Sequence, residues 1–177
     1  MRIGIDISQL AYPNIGVANY LIGLVSSLIK NDSDNEYVLF FSSMRRNLKF
    51  EILNFKSNQN VKLKKFKLPP IFLDFLWNRL HIMPIENFIG DVDLFITSDW
   101  TEPPTRKAKK ATIIYDLIVY KHPEETEQKI ISTQKRKLKW VKKESDIVFC
   151  ISESTKDDVS DILNIPSNKL KVVYPGI

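Results

Sequence analysis

The chain has 177 residues, enough for one domain with a buried core and too few for a second full domain. Its composition, 44% hydrophobic and 27% charged, excludes an intrinsically disordered protein. The net charge of +5 comes from blocks of basic residues at 62–67, 106–110 and 135–143. Such blocks attract the phosphates of nucleic acids, anionic lipids or nucleotide sugars alike, and a solvated surface without a specific role explains them equally well.

The single cysteine and the lack of long apolar segments indicate where the protein works. Cys150 lies in the apolar run 147–151, so an internal disulfide is excluded and a buried thiol is expected. The apolar run at 2–6 is too short for a secretory signal. No segment approaches the about 20 apolar residues that cross a bilayer. We therefore expect a cytoplasmic protein whose membrane contact, where it has any, is peripheral.

Short apolar runs alternate with segments of helical period along the whole chain. This pattern predicts an α/β fold in which helices cover a mainly parallel, doubly wound, Rossmann-like sheet. About seven strands are predicted, at 2–7, 36–41, 61–66, 92–96, 111–115, 146–151 and 170–173.

The first half of the chain contains two predicted helices. In 17–30 the apolar residues recur every three or four positions and form one stripe, which predicts a helix packed on the sheet. The segment 68–80 also places apolar residues at helical spacing, directly after the basic block at 62–67. Positions 43–60 are the least periodic and are predicted to be a mobile connection.

Two more helices are predicted in the second half. One runs from Pro123 to about Lys143, with glutamates early and lysines late, which matches the helix dipole. The other covers 152–163, and its start is either Ser152 as the N-cap or a capping box that begins at Ser154.

Ligands of a doubly wound sheet bind beyond the carboxyl ends of the strands, so the segments that follow strands are the candidate sites. After the first strand, Asp6 opens a loop that reaches Gly16 immediately before a helix. A glycine there lets an anion approach free backbone N–H groups, although a plain turn explains one glycine as well.

Three other post-strand segments carry polar side chains. The loop 97–104 contains acids and Trp100, an aromatic residue that either stacks on a sugar ring or fills a local core. Tyr115 and Asp116 form an ionisable pair that could act as a base or bind hydroxyl groups, while Asp116 could equally satisfy nearby N–H groups. Ser152 is favoured as a helix cap over a binding residue.

Several kinds of site are excluded by the residues present. Two histidines and one cysteine do not make a zinc cluster, and neither a nucleophile elbow nor a phosphate loop occurs. His122 is predicted to shape a turn and His81 to pack against neighbouring residues. No metal cofactor is expected, and no carboxylate spacing singles out an acid–base pair.

A series of short motifs nevertheless recurs in order from end to end. They are Arg2-Ile-Gly-Ile-Asp6 with Leu10, Gly16-Val17 with Tyr20, Asp93-Leu-Phe95, Tyr115-Asp116-Leu117 with His122-Pro-Glu124, Ile151-Ser-Glu-Ser-Thr155 and Val172-Val-Tyr-Pro-Gly176. Their order and spacing resemble the N-terminal domain of a GT-B fold glycosyltransferase, in the retaining group called family 4 or group 1.

The resemblance implies two Rossmann-like domains that face each other across a cleft. The N-terminal domain holds the acceptor, and the C-terminal domain holds most of the nucleotide-sugar donor. On this reading residues 1–177 are the acceptor domain and end at the interdomain hinge, so the chain alone is expected to be inactive. The implied reaction is a metal-free hexosyl transfer, with retention, to a glycan or a lipid-linked acceptor.

The resemblance also implies roles for particular residues. Gly16 and Val17 would offer backbone N–H groups to the donor diphosphate, and Tyr115 and Asp116 would take the catalytic positions. The basic and aromatic surface at 62–77 would suit docking on the inner face of a membrane. The pocket for the acceptor would be formed by Asp6, Ser98, Asp99, Trp100 and Asp116.

The chain departs from the family pattern at Tyr115. Family members commonly have a histidine there, and a phenol can donate a hydrogen bond but cannot act as an imidazole at neutral pH. The first loop also has one glycine, Gly16, where a pair is common, and the hinge has Pro175-Gly176 for Asn-Gly. One alternative is therefore a stand-alone, non-catalytic or partner-completed subunit. A nucleic-acid or anionic-membrane binding module is disfavoured, because the basic blocks lack interleaved aromatic residues, and no nucleic acid is expected.

Overall fold

The computed structural model describes residues 1–12, 15–46 and 60–176. Its strands are β1 Arg2–Asp6, β2 Glu36–Ser42, β3 Val61–Phe66, β4 Leu94–Thr97, β5 Lys109–Ile114, β6 Ile147–Cys150 and β7 Leu170–Val172. They form one 7-stranded sheet in the order β3-β2-β1-β4-β5-β6-β7. Every neighbouring pair is parallel, so the predicted α/β sheet is confirmed.

Six α-helices and one π-helix accompany the sheet in the described residues. They are α1 Gly16–Asn31, α2 Pro70–Leu73, the π-helix Asp74–Arg79, α3 Glu86–Ile89, α4 Ile118–Lys121, α5 Gln128–Glu144 and α6 Glu153–Leu163. Short 3₁₀ turns occur at Ser8–Ala11, Pro123–Glu125 and Ser167–Lys169. No helix of the described residues is both long and apolar enough to cross a membrane.

Both faces of the sheet are covered, which is why consecutive residues of a strand such as β2 are buried. In β2, Leu39 belongs to the core cluster that contains the buried side chains of α1. Its neighbour Phe40 belongs to a second cluster and lies 5.6 Å, between ring centroids, from Trp77 of the π-helix. Successive strand residues point to opposite faces, so the alternation confirms helices on both sides.

The chain order of the strands reverses beside β1. From β1 the chain moves to β2 and β3 at one edge, and then returns to place β4 on the other side of β1. A crevice forms at such a switch point, beyond the carboxyl ends of the strands. The fold therefore places the loops that follow β1 and β4 at one location.

Two of the predicted helices have starts that capping and charge signals favoured. The helix predicted from Pro123 is wrong at its start, because Pro123–Glu125 forms a 3₁₀ turn and α5 begins at Gln128. Thr126 and Glu127 between them have extended ψ angles of 137° and 135°, which interrupt the helical hydrogen bonds. The glutamates therefore precede α5. For α6, Ser152 is the N-cap, and its Oγ accepts a hydrogen bond from Thr155 N at 3.1 Å.

Three smaller predictions concern Cys150, His81 and the segment 43–60. The thiol of Cys150 is buried as predicted, and burial raises its pKa to about 11. The side chain of His81 is 9% exposed and packed, also as predicted. Most of the connection predicted to be mobile at 43–60 lies outside the described residues.

Gly4 in the central strand β1 has no room for a side chain. A Cβ atom there would lie 2.7 Å from Phe95 Cδ2 and 2.8 Å from Ile89 Cδ1. We expect Gly4→Ala to lower the free energy of unfolding by about 1–3 kcal/mol through overpacking, measured by urea denaturation. Gly23→Ala is the matched control, because Gly23 lies in α1 with open space around it. It should raise stability by about 0.5–1 kcal/mol, and equal effects of the two substitutions would contradict the packing.

Candidate functional site

Polar side chains gather where β1, β4 and β5 end, around the switch point. Asp6 ends β1, Ser98 to Trp100 follow β4, and Tyr115 and Asp116 follow β5. The N-terminus of α1 lies at the same edge, because α1 follows β1. Five of the residues predicted for the site line one cavity of about 200 Å³, which α5 closes with Gln134 and Lys137. These five are Val17, Asp99, Trp100, Tyr115 and Asp116.

A second cavity of about 400 Å³ adjoins the first. Asp6 lines this larger cavity, together with Gln9, Tyr12 and Arg46. Trp100 lines both cavities and so marks their boundary. Four of the five predicted acceptor residues are thus divided between two adjoining cavities, namely Asp6, Asp99, Trp100 and Asp116.

Lys137 lies beneath these cavities and was not predicted as a site residue. It is 2% exposed, and its Nζ donates a hydrogen bond to Ser98 O. The pKa of Lys137 is lowered, because the effect of burial exceeds the opposing effect of the carboxylates of Glu102, Asp99 and Asp6. The sequence did contain a signal, because Lys137 lies one turn before Val141, on the apolar face of an amphipathic helix.

The two aspartates nearest this ammonium group are themselves poorly solvated. Burial raises the pKa of Asp99. The nearby Lys137 and a hydrogen bond of 3.1 Å from Gln134 Nε2 to Asp99 Oδ1 oppose this increase. Burial also raises the pKa of Asp6, whose Oδ1 accepts a hydrogen bond from Ser8 N at 2.9 Å. Carboxyl groups with raised pKa values at a cavity are candidates for proton exchange and for binding hydroxyl groups.

The phenol of Tyr115 lies at the smaller cavity and is hydrogen-bonded. Burial raises the pKa of its phenol above the ordinary value of 10.0, so the phenol is neutral at physiological pH. Its Oη lies 3.1 Å from Ser98 Oγ, and its ring meets that of Tyr20 edge-on at 5.5 Å. Ser98, predicted to bind the acceptor, is buried and contacts Tyr115 and Lys137.

Asp116 and Gly16 lie at exposed positions beside the smaller cavity. The Oδ1 atom of Asp116 accepts a hydrogen bond from Ile118 N at 3.0 Å, so part of this carboxylate closes a turn, as one reading of the sequence expected. Gly16 is the first residue of α1, whose N-cap Ile15 makes no side-chain capping bond. The N–H groups of the first helical turn have no partner within the helix, so this end of α1 favours an anion.

Other polar residues near the strand ends have structural roles. Glu102, in the loop predicted to meet a ligand, is fully buried, and its carboxylate lies 3.2 Å from Lys110 Nζ. Its Oε2 also accepts a hydrogen bond from Thr97 Oγ1 at 2.6 Å. Glu102 therefore joins β4 to β5 beneath the site.

One group of possible metal ligands occurs in the described residues. His122, Glu124 and Glu125 place ligand atoms within 4.8 Å of one another, but all three are exposed. Exposed groups of this kind are common without an ion, so no metal is assigned to them.

Comparison with known protein families gives a match. The model of a family described as Glycosyltransferase Family 4 matches residues 15–177. The matched region extends from α1 to β7 and includes every residue of the smaller cavity. No curated protein matches the chain.

Removing the buried ammonium group should destabilise the fold. We expect Lys137→Met to lower the free energy of unfolding by about 3 kcal/mol, because it leaves buried carboxylates without their counter-charge. The measurement is urea denaturation at neutral pH. Lys139→Met on the exposed face of α5 is the matched control and should change stability by less than about 0.5 kcal/mol. Adding Asp99→Asn to Lys137→Met should recover part of the loss, and full additivity of the two changes would contradict the ion pairing.

Proposed function

Since the chain belongs to Glycosyltransferase Family 4, we propose that it is the acceptor-side domain of an enzyme that transfers a sugar from a nucleotide sugar. The acceptor is a glycan or a lipid-linked glycan, and the anomeric configuration is retained. The observation that supports this most is the gathering of Val17, Asp99, Tyr115 and Asp116 at one cavity beside the switch point.

The smaller cavity receives the donor's diphosphate and the sugar to be transferred. Val17 lines it, and the N–H groups of Gly16 and Val17 at the start of α1 offer partial positive charge to a phosphate. Its volume of about 200 Å³ is below the roughly 300 Å³ at which pockets for drug-sized ligands begin. A second domain is therefore proposed to hold the nucleotide, and the domain alone should be inactive.

The larger cavity receives the acceptor. Asp6 provides a carboxylate for sugar hydroxyl groups, and Trp100 provides an aromatic surface on which a sugar ring can stack. Because Trp100 lines both cavities, the acceptor hydroxyl and the donor's anomeric carbon would meet beside it.

The acidic and phenolic groups between the cavities position the reacting sugars. Tyr115 is neutral, so it serves by hydrogen bonding where the family commonly has a histidine. Asp116 and Asp99 accept hydrogen bonds from sugar hydroxyl groups at the smaller cavity. This arrangement requires no metal ion, since the first turn of α1 supplies the positive potential at the diphosphate.

A carboxylate placed at the start of α1 should strongly reduce donor use without unfolding the protein. We expect Gly16→Asp in the full-length protein to reduce kcat/KM for UDP or GDP sugars by about a hundredfold or more. The physical reason is that like charges about 4 Å apart near a protein surface repel by about 4 kcal/mol. Stability should not fall, because an acidic residue in the first turn favours the helix dipole and a Cβ at Gly16 meets no described atom within 4 Å.

The measurement is release of nucleoside diphosphate from each nucleotide sugar in a panel. Gly23→Asp is the matched control, since it adds the same charge to an exposed position of the same helix and should leave kcat/KM unchanged. Equal activity of Gly16→Asp and the wild type would contradict the diphosphate assignment alone. A full-length protein that uses no UDP or GDP sugar would contradict the proposed enzyme and favour a non-catalytic subunit.

A further inference from the structure

Two arginines line the larger cavity, where a neutral acceptor sugar would give them no role. They are Arg45 and Arg46, which follow β2. Among the described residues that line this cavity, the other charged one is Asp6. When Asp6 is ionised, the lining carries one more positive than negative charge. A neutral sugar could use Asp6 and Trp100, but it would leave the arginines without a counter-charge.

The guanidinium group of Arg46 is held in place by neighbours that carry no charge. Its Cζ lies 4.6 Å from the centroid of the Tyr12 ring, a cation–π contact. Its Nη1 donates a hydrogen bond to Ala11 O at 3.3 Å. The backbone is held as well, because Arg46 N donates a hydrogen bond to Ser43 Oγ at 3.1 Å. The side chain is therefore oriented before any ligand binds.

Arg46 keeps hydrogen-bond donors for a ligand. A guanidinium group has several N–H donors in one plane, and the contact with Ala11 O uses one of them. Within the part of the chain that the structure describes, no ion pair involves Arg45 or Arg46. The free edge of such a group can form two parallel hydrogen bonds to a carboxylate.

A second polar group of this cavity also lacks a partner. Gln9 is 4% exposed, and its Oε1 accepts no hydrogen bond from the described residues. Buried side-chain oxygens nearly always accept a hydrogen bond, so this one indicates a polar ligand. Because Gln9 lines the same cavity as Arg46, a ligand there would meet a hydrogen-bond acceptor as well as a cation.

We propose that the acceptor is an acidic sugar whose carboxylate pairs with the guanidinium group of Arg46 in the larger cavity. Its ring lies against Trp100, and its hydroxyl groups donate hydrogen bonds to Asp6 and Gln9. Arg45, which is exposed at the same cavity, adds positive potential. This inference rests on the proposed function only in calling the ligand an acceptor.

A carboxylate fits this lining better than a phosphate. A phosphate monoester carries a charge of about −1.5 to −2 at pH 7, so Asp6 would repel it more strongly than it repels a carboxylate. The single charge of a carboxylate equals the excess that Arg45 and Arg46 leave over an ionised Asp6. A carboxylate is also planar, so both of its hydrogen bonds can lie in the plane of the guanidinium group.

The test compares glycosides that differ only at C6. Methyl glucuronide, methyl glucoside and methyl glucoside 6-phosphate are titrated into the full-length protein by isothermal titration calorimetry, and the three galactose counterparts are titrated in parallel. In at least one of the two series, we expect the carboxylate form to bind about tenfold more tightly than the neutral form. That is the factor for a hydrogen bond to a charged group. The phosphate form should bind more weakly than the carboxylate form.

Exchanging Arg46 should remove this preference. We expect Arg46→Gln to weaken binding of the carboxylate form about tenfold and to leave binding of the neutral form unchanged. Arg46→Lys should restore only part of the preference, because an ammonium group cannot form two hydrogen bonds in one plane. Arg106→Gln is the matched control, since Arg106 is exposed and lines neither cavity. It should bind every glycoside like the wild type.

Three outcomes would overturn the inference. The first is equal affinity of the wild type for the carboxylate and neutral forms in both series. The second is an equal loss for all forms in Arg46→Gln, which would give Arg46 a structural role. The third is a preference for the phosphate form that depends on Arg46, which would assign this cavity to a phosphorylated ligand.

Sugar transfer to the same glycosides separates this inference from the proposed function. Release of nucleoside diphosphate with the neutral acceptors alone would overturn the acidic acceptor and leave the proposed enzyme. No release with any acceptor, together with binding of the carboxylate form that depends on Arg46, would overturn the proposed enzyme and leave a binding site for acidic sugars.

Discussion

The arrangement of the site depends on one buried ammonium group. Lys137 is 2% exposed, and an isolated charge at such a position would cost several kcal/mol. Its partners Asp6, Asp99 and Glu102 come from β1 and from the loop after β4. Those segments must therefore stay close to α5 for the charge to be compensated. The hydrogen bond to Ser98 O fixes the same loop, and with it Trp100 at the boundary of the two cavities.

A second set of polar contacts connects the surroundings of this ammonium group to the residues that follow the π-helix. Glu102 contacts Lys110, Lys110 contacts Glu144, and Glu144 contacts His81, which stacks on Trp140. Each group is satisfied only while its neighbours hold their places, so the contacts resist independent movement of β5, α5 and the π-helix. The crevice and the π-helix are therefore connected through these side chains.

The sheet and α1 could be predicted from the sequence because their signals are local. Apolar runs predict the strands, and one apolar stripe predicts α1. The predicted boundaries differ from the observed ones by a few residues. The start of α5 could not be predicted, since Pro123 favours a helix and the extended backbone at Thr126 leaves no mark in the charge pattern. Periodicity also placed Phe72 and Phe75 on a helix without showing that their face looks away from the sheet.

Some residues of the candidate site could likewise be predicted from the sequence, and others could not. Asp99, Tyr115 and Asp116 were predicted because they follow strands, and the structure brings them to one cavity. Lys137 was missed because it lies in a block of lysines, and the composition of that block does not distinguish a buried lysine from an exposed one. Successive helical residues are about 100° apart, so Lys137 faces the core while Lys139, two positions later, faces solvent. The basic block at 135–143 therefore has two faces on one helix. A substitution that removes a lysine will affect the crevice when the lysine faces the core, and the protein surface when it faces solvent.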